Sequence, residues 1–296
     1  MNKIKELTNQ NLKDYCTFKI GGKIKKVYVA KSQNQLVEAC TLCHNNKLPY
    51  KIIGLGANLL FADKFFAGAI IVNRSKHITK KDDGLLVDSG VTISELINFC
   101  LKNNLGGIGS LFGIPSTVGG AVVNSLGAFG CNFSDFVEYV VGISPSSLQK
   151  KVKILNKNCG FTYRDSIFKH TEFVITSVKL KLPTEQPATL KQSMFDAIKK
   201  KTATQPLEKP NAGSVFKRKG ELIPAKIIDE LNLKGTQFGN AQISTKHAGF
   251  IVNLGNARCV DVLKLIKLTK RKVYHATHQK LTCEIELVCG TKNFYK

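Results

Sequence analysis

Residues 106–130, GGIGSLFGIPSTVGGAVVNSLGAFG, hold eight of the chain's 24 glycines. Each glycine loses more backbone freedom on folding than any other residue, so ordinary helices and strands avoid such density. Ile108, Leu111, Phe112, Ile114, Val118, Val122 and Val123 are interleaved with the glycines, which excludes a flexible linker. Apolar anchors separated by glycines suit a backbone that something approaches closely. Successive exposed N–H groups in such a loop form a nest for phosphate oxygens. A glycine-rich barrel corner or a tight packing seam satisfies the same pattern, and the run by itself leaves both readings open.

At 296 residues the chain is long enough for about two domains and a substantial core. Forty-four Lys and Arg against 21 Asp and Glu give a net charge of +23, which suits anionic partners such as nucleotides or phosphosugars. The lysines are spread along the chain, with short basic clusters at 199–201, 217–219 and 270–272. A nucleic-acid binder more often concentrates them on an arm or one helix face, so no nucleic-acid partner is expected. No apolar run approaches the ~20 residues needed to cross a bilayer. The opening MNKIKELTNQNLKDY lacks the apolar centre of a secretory signal. The expectation is a soluble cytoplasmic protein with no membrane partner, whose nine cysteines are reduced thiols. An odd count also argues against a complete disulfide framework.

Cys40-Thr41-Leu42-Cys43-His44 matches a c-type haem attachment pattern. It lies within 33–47, an amphipathic helix with Ser32 as cap and Gln35 placed to complete a capping box. Leu36, Val37, Ala39, Cys40 and Cys43 fall on one face, so the reading is core packing. His275 and His278 stand one turn apart with no further ligands near them in sequence, and no metal site is expected.

In order, strands are expected at 25–31, 50–53, 68–74, 85–88, 136–144, 152–155, 173–182, 247–254 and 281–289. Helices are expected at 92–104 (Thr92 and Glu95 forming a capping box), 193–202, 223–231 and 260–274. The turn Gly54-Leu55-Gly56-Ala57-Asn58-Leu59-Leu60 follows a strand. It lacks the third glycine and the following helix of a dinucleotide fingerprint. Its N–H groups at 56–59 would be free to hold a pyrophosphate. Leu182-Pro-Thr-Glu-Gln-Pro187 is a composition break and the expected domain boundary. Strands and helices alternate without a repeat, which predicts α+β, or irregular α/β, in two units.

The motifs form an ordered set: YCTFKIGG at 15–22, GLGANLLFAD at 54–63, GIPSTVGGA at 113–121, and Tyr163-Arg164-Asp165-Ser166. AGSVFKR at 212–218, GNAQISTKHAGFIVN at 239–253 and Glu284 complete it. The set resembles the UDP-N-acetylenolpyruvoylglucosamine reductases over essentially the whole chain. The short interval after Arg164 looks like the family's second type, which lacks a substrate-capping loop insertion. The resemblance implies a two-lobed FAD-binding domain of the vanillyl-alcohol-oxidase-like type at 1–183, with lobes of about 1–75 and 76–183. A C-terminal α+β substrate-binding domain would follow at 184–296. It implies reduction of UDP-N-acetylglucosamine enolpyruvate to UDP-N-acetylmuramate with FAD and NADPH, in peptidoglycan precursor synthesis, by an expected monomer. Another flavin oxidoreductase of the same fold, acting on an alcohol or hydroxy acid, is the alternative.

By the same resemblance, Arg164 and Glu284 stabilise enolate charge and Ser214 donates the proton to the adjacent carbon. Charge developing there needs a fixed cation or donor and a positioned acid. FAD contacts are expected at Gly54, Leu55, Gly56, Ala57, Asn58, Leu59, Leu60, Ile114, Pro115, Ser116, Thr117, Gly119 and Gly120. Lys217, Gln242 and Asn253 are expected at the UDP-sugar substrate, and His247 lies in the same motif. Departures from the family pattern include Ala57 where serine is common and Ser116 where glycine is usual.

Overall fold

The computed structural model describes residues 4–81, 83–144, 147–289 and 292–293. The chain divides into two compact units. One comprises 1–7, 27–55 and 69–200; the other comprises 8–26, 56–68 and 201–296.

In the first unit a five-stranded antiparallel sheet runs in the order Ser147–Leu155, Val137–Ser144, Val174–Leu180, Gly84–Asp88, Ile78–Lys81. Its central strand, Val174–Leu180, is buried at every position and contributes to both hydrophobic clusters of this unit. Helix α1 (Gln33–Asn45) buries Leu36, Ala39, Cys40 and Cys43 completely against Tyr28, Ala30, Ala69 and Ile71. Each fully buried aliphatic side chain of Leu size contributes roughly 1.5–3 kcal/mol. Ser32 Oγ accepts from Gln35 N–H as expected, but Gln35 Oε1 takes the N–H of Lys31, one residue before the cap. The reciprocal half of the box is therefore displaced by one residue.

Helix α2 (Ile93–Leu101) carries the complete Thr92–Glu95 capping box. It ends at Leu101 rather than 104. The Cys100 carbonyl accepts the N–H groups of both Asn103 and Leu105, and Asn104 is left-handed at φ 54°. Helix α3 (Val118–Val123), inside the glycine-rich run, is capped by Thr117, whose hydroxyl accepts Gly120 N–H. Helices α2 and α3 bury Ile93, Leu96, Ile97, Val118 and Val122 with Leu85, Val87, Val178 and Leu180 of the sheet. Helix α4 (Pro187–Thr204) begins at the proline of the expected break, not at Ser193. Proline lacks the N–H that a first helical turn leaves unbonded, so it starts the helix instead of interrupting it.

In the second unit an antiparallel sheet runs Asn211–Ser214, Phe250–Asn253, Ala241–Ile243, Gln237–Phe238. Helix α5 (Pro224–Glu230) has proline in its first turn, and α6 (Cys259–Thr277) buries Val262, Leu265, Ile266, Thr269 and Val273 at helical spacing. Leu59–Phe61 pairs in parallel with Glu286–Cys289. The last strand is thus shorter than the expected 281–289, and Glu284 precedes it. Likewise the 247–254 strand contracts to Phe250–Asn253, because Phe250 N–H closes a turn onto the His247 carbonyl. Among the described residues no helix is long and apolar enough to cross a membrane.

Candidate active site

The turn after strand Tyr50–Ile53 is shaped by close approach. A Cβ on Gly54 would lie 2.5 Å from Thr117 Oγ1, so the backbone of this turn touches the cap of α3. Gly56 is left-handed at φ 65°, and a Cβ there would lie 2.4 Å from the Tyr15 carbonyl oxygen. Among the described hydrogen bonds, none of the N–H groups of Leu55, Gly56, Ala57 and Asn58 donates to a protein acceptor. Gly56 is buried. Leu55, Ala57 and Asn58 beside it are half-buried, and a run of four such N–H groups without a protein acceptor fits the pyrophosphate of a dinucleotide. Arg74 strengthens the fit. Its Nη1 donates to the Gly54 carbonyl at 2.8 Å, and burial holds its pKa below the ordinary arginine value. Sequence reasoning missed Arg74, which is separated from the motif by a whole strand.

The glycine-rich run, which its sequence leaves open between a nest and a packing seam, spends most of its N–H groups inside the fold. Ile114 N–H donates to Leu111 O, Ser116 to Ile114 O, Val118 to Val91 O and Gly119 to Ser89 O, while Gly120 N–H meets Thr117 Oγ1. Most N–H groups of 114–120 are therefore consumed by the fold. What this segment can still offer a ligand is its surface, its carbonyls and Ser116. Ser116 Oγ bonds the Thr117 carbonyl, and its backbone is not left-handed, so a side chain sits there without strain.

Arg164 lies beyond α3, in the first unit, on a turn closed by Thr162 N–H to Asp165 O and Asp165 N–H to Thr162 O. Its backbone is left-handed at φ 57°. Lys169 Nζ donates to the Arg164 carbonyl (3.2 Å) and to Asn124 Oδ1 (3.1 Å), and Ser166 Oγ donates to Val123 O (2.8 Å). These bonds fasten the Arg164 turn to the C-terminal end of α3. Asp165 pairs with His170 Nε2 at 2.8 Å. Burial would raise the Asp165 pKa, but the hydrogen bond and charge of His170 outweigh it and the carboxyl stays below its ordinary value.

The second unit brings Ser214, Lys217 and Glu284 onto adjoining stretches. Asn211 faces Val252 and Ser214 faces Phe250, so three steps of one strand oppose two of the other. Such a bulge re-aims a side chain. Asn211 pins the bulge: its Oδ1 accepts Gly213 N–H, and its Nδ2 donates to the carbonyls of Pro206 and Lys209. Thr17 Oγ1, from the YCTFKIGG motif, donates to the Asn211 carbonyl at 2.7 Å. Beyond Ser214 the chain runs beside 282–284. Glu284 N–H donates to Val215 O at 2.8 Å, and Lys217 N–H donates to Thr282 O at 2.9 Å. Asn58 Nδ2 donates to the Glu284 carbonyl at 3.1 Å.

Gln242 Nε2 reaches the Gly235 carbonyl (3.3 Å) and Gln237 (3.4 Å). Asn253 is 4% exposed, and its amide is occupied. It donates to the Phe18 and Lys19 carbonyls and accepts from Gly255 and Ala257 N–H. His247 Nδ1 accepts Gly249 N–H, and burial foremost lowers the ring's pKa. Asp63, last in GLGANLLFAD, accepts the Cys259 and Val260 N–H groups at the start of α6 (2.8 and 3.3 Å). Cys40 and Cys43 are fully buried thiols that form no disulfide. Among the described residues no group of three or more His, Cys, Asp and Glu could hold a metal ion.

Residues 24–146 match an FAD binding domain, and residues 205–288 match the UDP-N-acetylenolpyruvoylglucosamine reductase C-terminal domain. The UDP-N-acetylenolpyruvoylglucosamine reductase of Thermotoga maritima is 38% identical over 280 residues, which is 94% of this chain and 97% of the relative. That of Clostridium botulinum strain Hall is 35% identical over 289 residues, covering 97% and 93%. The crystal structure of UDP-N-acetylenolpyruvylglucosamine reductase from Thermus caldophilus superposes with a TM-score of 0.80 at 29% identity, covering 97% of this chain and 99% of that one. An FAD-binding domain followed by this C-terminal domain is the α+β arrangement the motifs implied. With this identity over nearly its whole length, the chain belongs to the UDP-N-acetylenolpyruvoylglucosamine reductase family.

Proposed function

We propose that this protein reduces UDP-N-acetylglucosamine enolpyruvate to UDP-N-acetylmuramate with NADPH as electron donor, using FAD held by its N-terminal part. Bound FAD supplies hydride transfer, which no amino-acid side chain provides. The observation that carries the reading is the run of unbonded N–H groups at 55–58, joined through Asn58 to the stretch bearing Glu284. FAD is held by residues 54–60 through backbone N–H groups, with Arg74 adding positive charge, and by the surface of 114–120. Residues 1–183 form the flavin domain and 184–296 the substrate domain. The protein works as a cytoplasmic monomer, with no nucleic-acid or membrane partner.

Ser214 holds its hydroxyl proton for delivery to the carbon beside the substrate carboxylate. An unperturbed serine is a poor acid, so this works only where the enolate is already stabilised. Arg164 does that by its charge and Glu284 by a hydrogen bond donated from its protonated carboxyl, and the Lys217 ammonium adds to the positive field or takes a substrate anion. Gln242 contacts the UDP-sugar. Asn253, with its amide engaged by the 18–19 segment, serves the substrate site by holding that segment.

The test separates two half-reactions by stopped-flow absorbance of the flavin. Purified protein should be yellow and release FAD on acid precipitation. Ser214→Ala should leave flavin reduction by NADPH nearly intact and slow reoxidation by the enolpyruvyl substrate at least ~10²-fold, the low end for a positioned general acid. Colourless protein that takes up no added FAD refutes the reading. Equal slowing of both steps removes Ser214 as the acid.

A further inference from the structure

Glu284 has no ladder of its own, since the strand begins at Glu286. Its main chain is nonetheless held from two directions. Its N–H donates to Val215 O at 2.8 Å, one residue past Ser214. Its carbonyl accepts Asn58 Nδ2 at 3.1 Å. Asn58 also accepts, through its own carbonyl, the N–H of Glu286 at 2.9 Å. One residue thus grips the chain on both sides of Ile285. The parallel pairing of Leu59 with Glu286 and Leu60 with Leu287 follows directly from that grip. On its other side Asn58 ends the run of unbonded N–H groups whose entry is braced by Gly56 against Tyr15 and Cys16.

We infer that Asn58 is a positioning residue whose side-chain amide couples the order of the phosphate-binding loop to the placement of Glu284. The Asn58 carbonyl bond to Glu286 belongs to the backbone and survives any substitution. The amide bond to the Glu284 carbonyl is the part that the side chain alone supplies. An ionised aspartate has the same shape but donates nothing, and it sets negative charge against that carbonyl. Filling the loop with a dinucleotide fixes residues 55–58, and the amide passes that order to residue 284. The functional half of this inference rests on Glu284 acting on the substrate.

The test uses the FAD-loaded full chain with Asn58→Asp and, as the milder change, Asn58→Ala. Hydrogen exchange at the Glu284 amide reads the tether without reference to turnover. It should quicken about 5- to 10-fold, the worth of one ordinary hydrogen bond. Flavin reoxidation by the enolpyruvyl substrate should slow about 10-fold more than flavin reduction by NADPH. In a Glu284→Gln background the same Asn58 substitution should change reoxidation less than about 2-fold, because residues acting through one another are not additive. Unchanged exchange at Glu284 in Asn58→Ala overturns the tether. A full effect persisting in the Glu284→Gln background, or equal slowing of both half-reactions, overturns the coupling and leaves Asn58 as a flavin or fold contact. If Glu284→Gln by itself leaves reoxidation untouched, the role of Glu284 falls, and the functional half of the inference with it. Exchange at residue 284 would still respond to Asn58 in that case, which tells the two failures apart.

Discussion

Gly54→Ala tests whether the approach of the 54–58 turn to the cap of α3 is structural. The added methyl would lie 2.5 Å from Thr117 Oγ1, 2.8 Å from Cγ2 and 3.2 Å from Cβ. Thr117 is 3% exposed, and its hydroxyl caps α3 through Gly120 N–H, so it has no free rotamer to escape into. Overpacking of this kind costs about 1–3 kcal/mol. Losing the cap adds about 1 kcal/mol. Together Gly54→Ala should destabilise by about 2–4 kcal/mol and weaken FAD retention. Thr117→Ala alone should cost about 1 kcal/mol, since it forfeits the cap. The double variant should cost about 1–2 kcal/mol, well under the sum, because the methyl then occupies space the threonine has vacated. The assay is urea unfolding with free FAD held at one concentration, since bound ligand adds stability by mass action. Additive losses in the double variant would refute the steric argument. So would a Gly54→Ala protein of unchanged midpoint.

Asp63→Ala should destabilise by about 1–2 kcal/mol, the worth of a helix N-cap, and Asp63→Asn by less, because one acceptor oxygen remains for α6; urea midpoints check both. Burial pushes the Cys40, Cys100 and Cys259 thiols up to about 12, from an ordinary 9.0. Well below pH 9 these thiols are protonated whether the chain is folded or unfolded. Between about pH 9 and 12 the unfolded chain loses protons that the folded chain keeps, so stability should fall as pH rises through that window. A melting temperature that stays level or rises from pH 8.5 to 10.5 contradicts this. Cys40→Ala with Cys43→Ala should lower stability modestly and leave flavin content and turnover intact. Loss of a stoichiometric metal or haem would show the pair to be ligands.

The elements legible in the sequence were those whose signals are local. Ser32 before an apolar stripe and the Thr92–Glu95 pair marked α1 and α2 within a few residues. The helix expected at 223–231 likewise forms as α5, from Pro224 to Glu230. The ordered motifs pointed to the family because they report the ligand's demands on short stretches of backbone. Local reading failed at Pro187, where the same residue type can break a chain or begin a helix. It could not decide between the two readings of the glycine-rich run, whose pattern is the same whether N–H groups face a phosphate or the carbonyls of Ser89 and Val91.

The resemblance carried by the order of the short signatures was enough to imply a flavoenzyme of this family, and local signals were enough to place helices at their caps. Only the tertiary structure decided which N–H groups stay unbonded. It also decided that Asn58 reaches Glu284 across 226 positions, that Asp63 caps a helix 196 positions away, and that Thr17 pins Asn211 across 194. A cap or an amphipathic stripe repeats with the helix period and can be read from neighbours. A hydrogen bond between distant segments has no period, and its partners are chosen by how the sheets bring the backbone together.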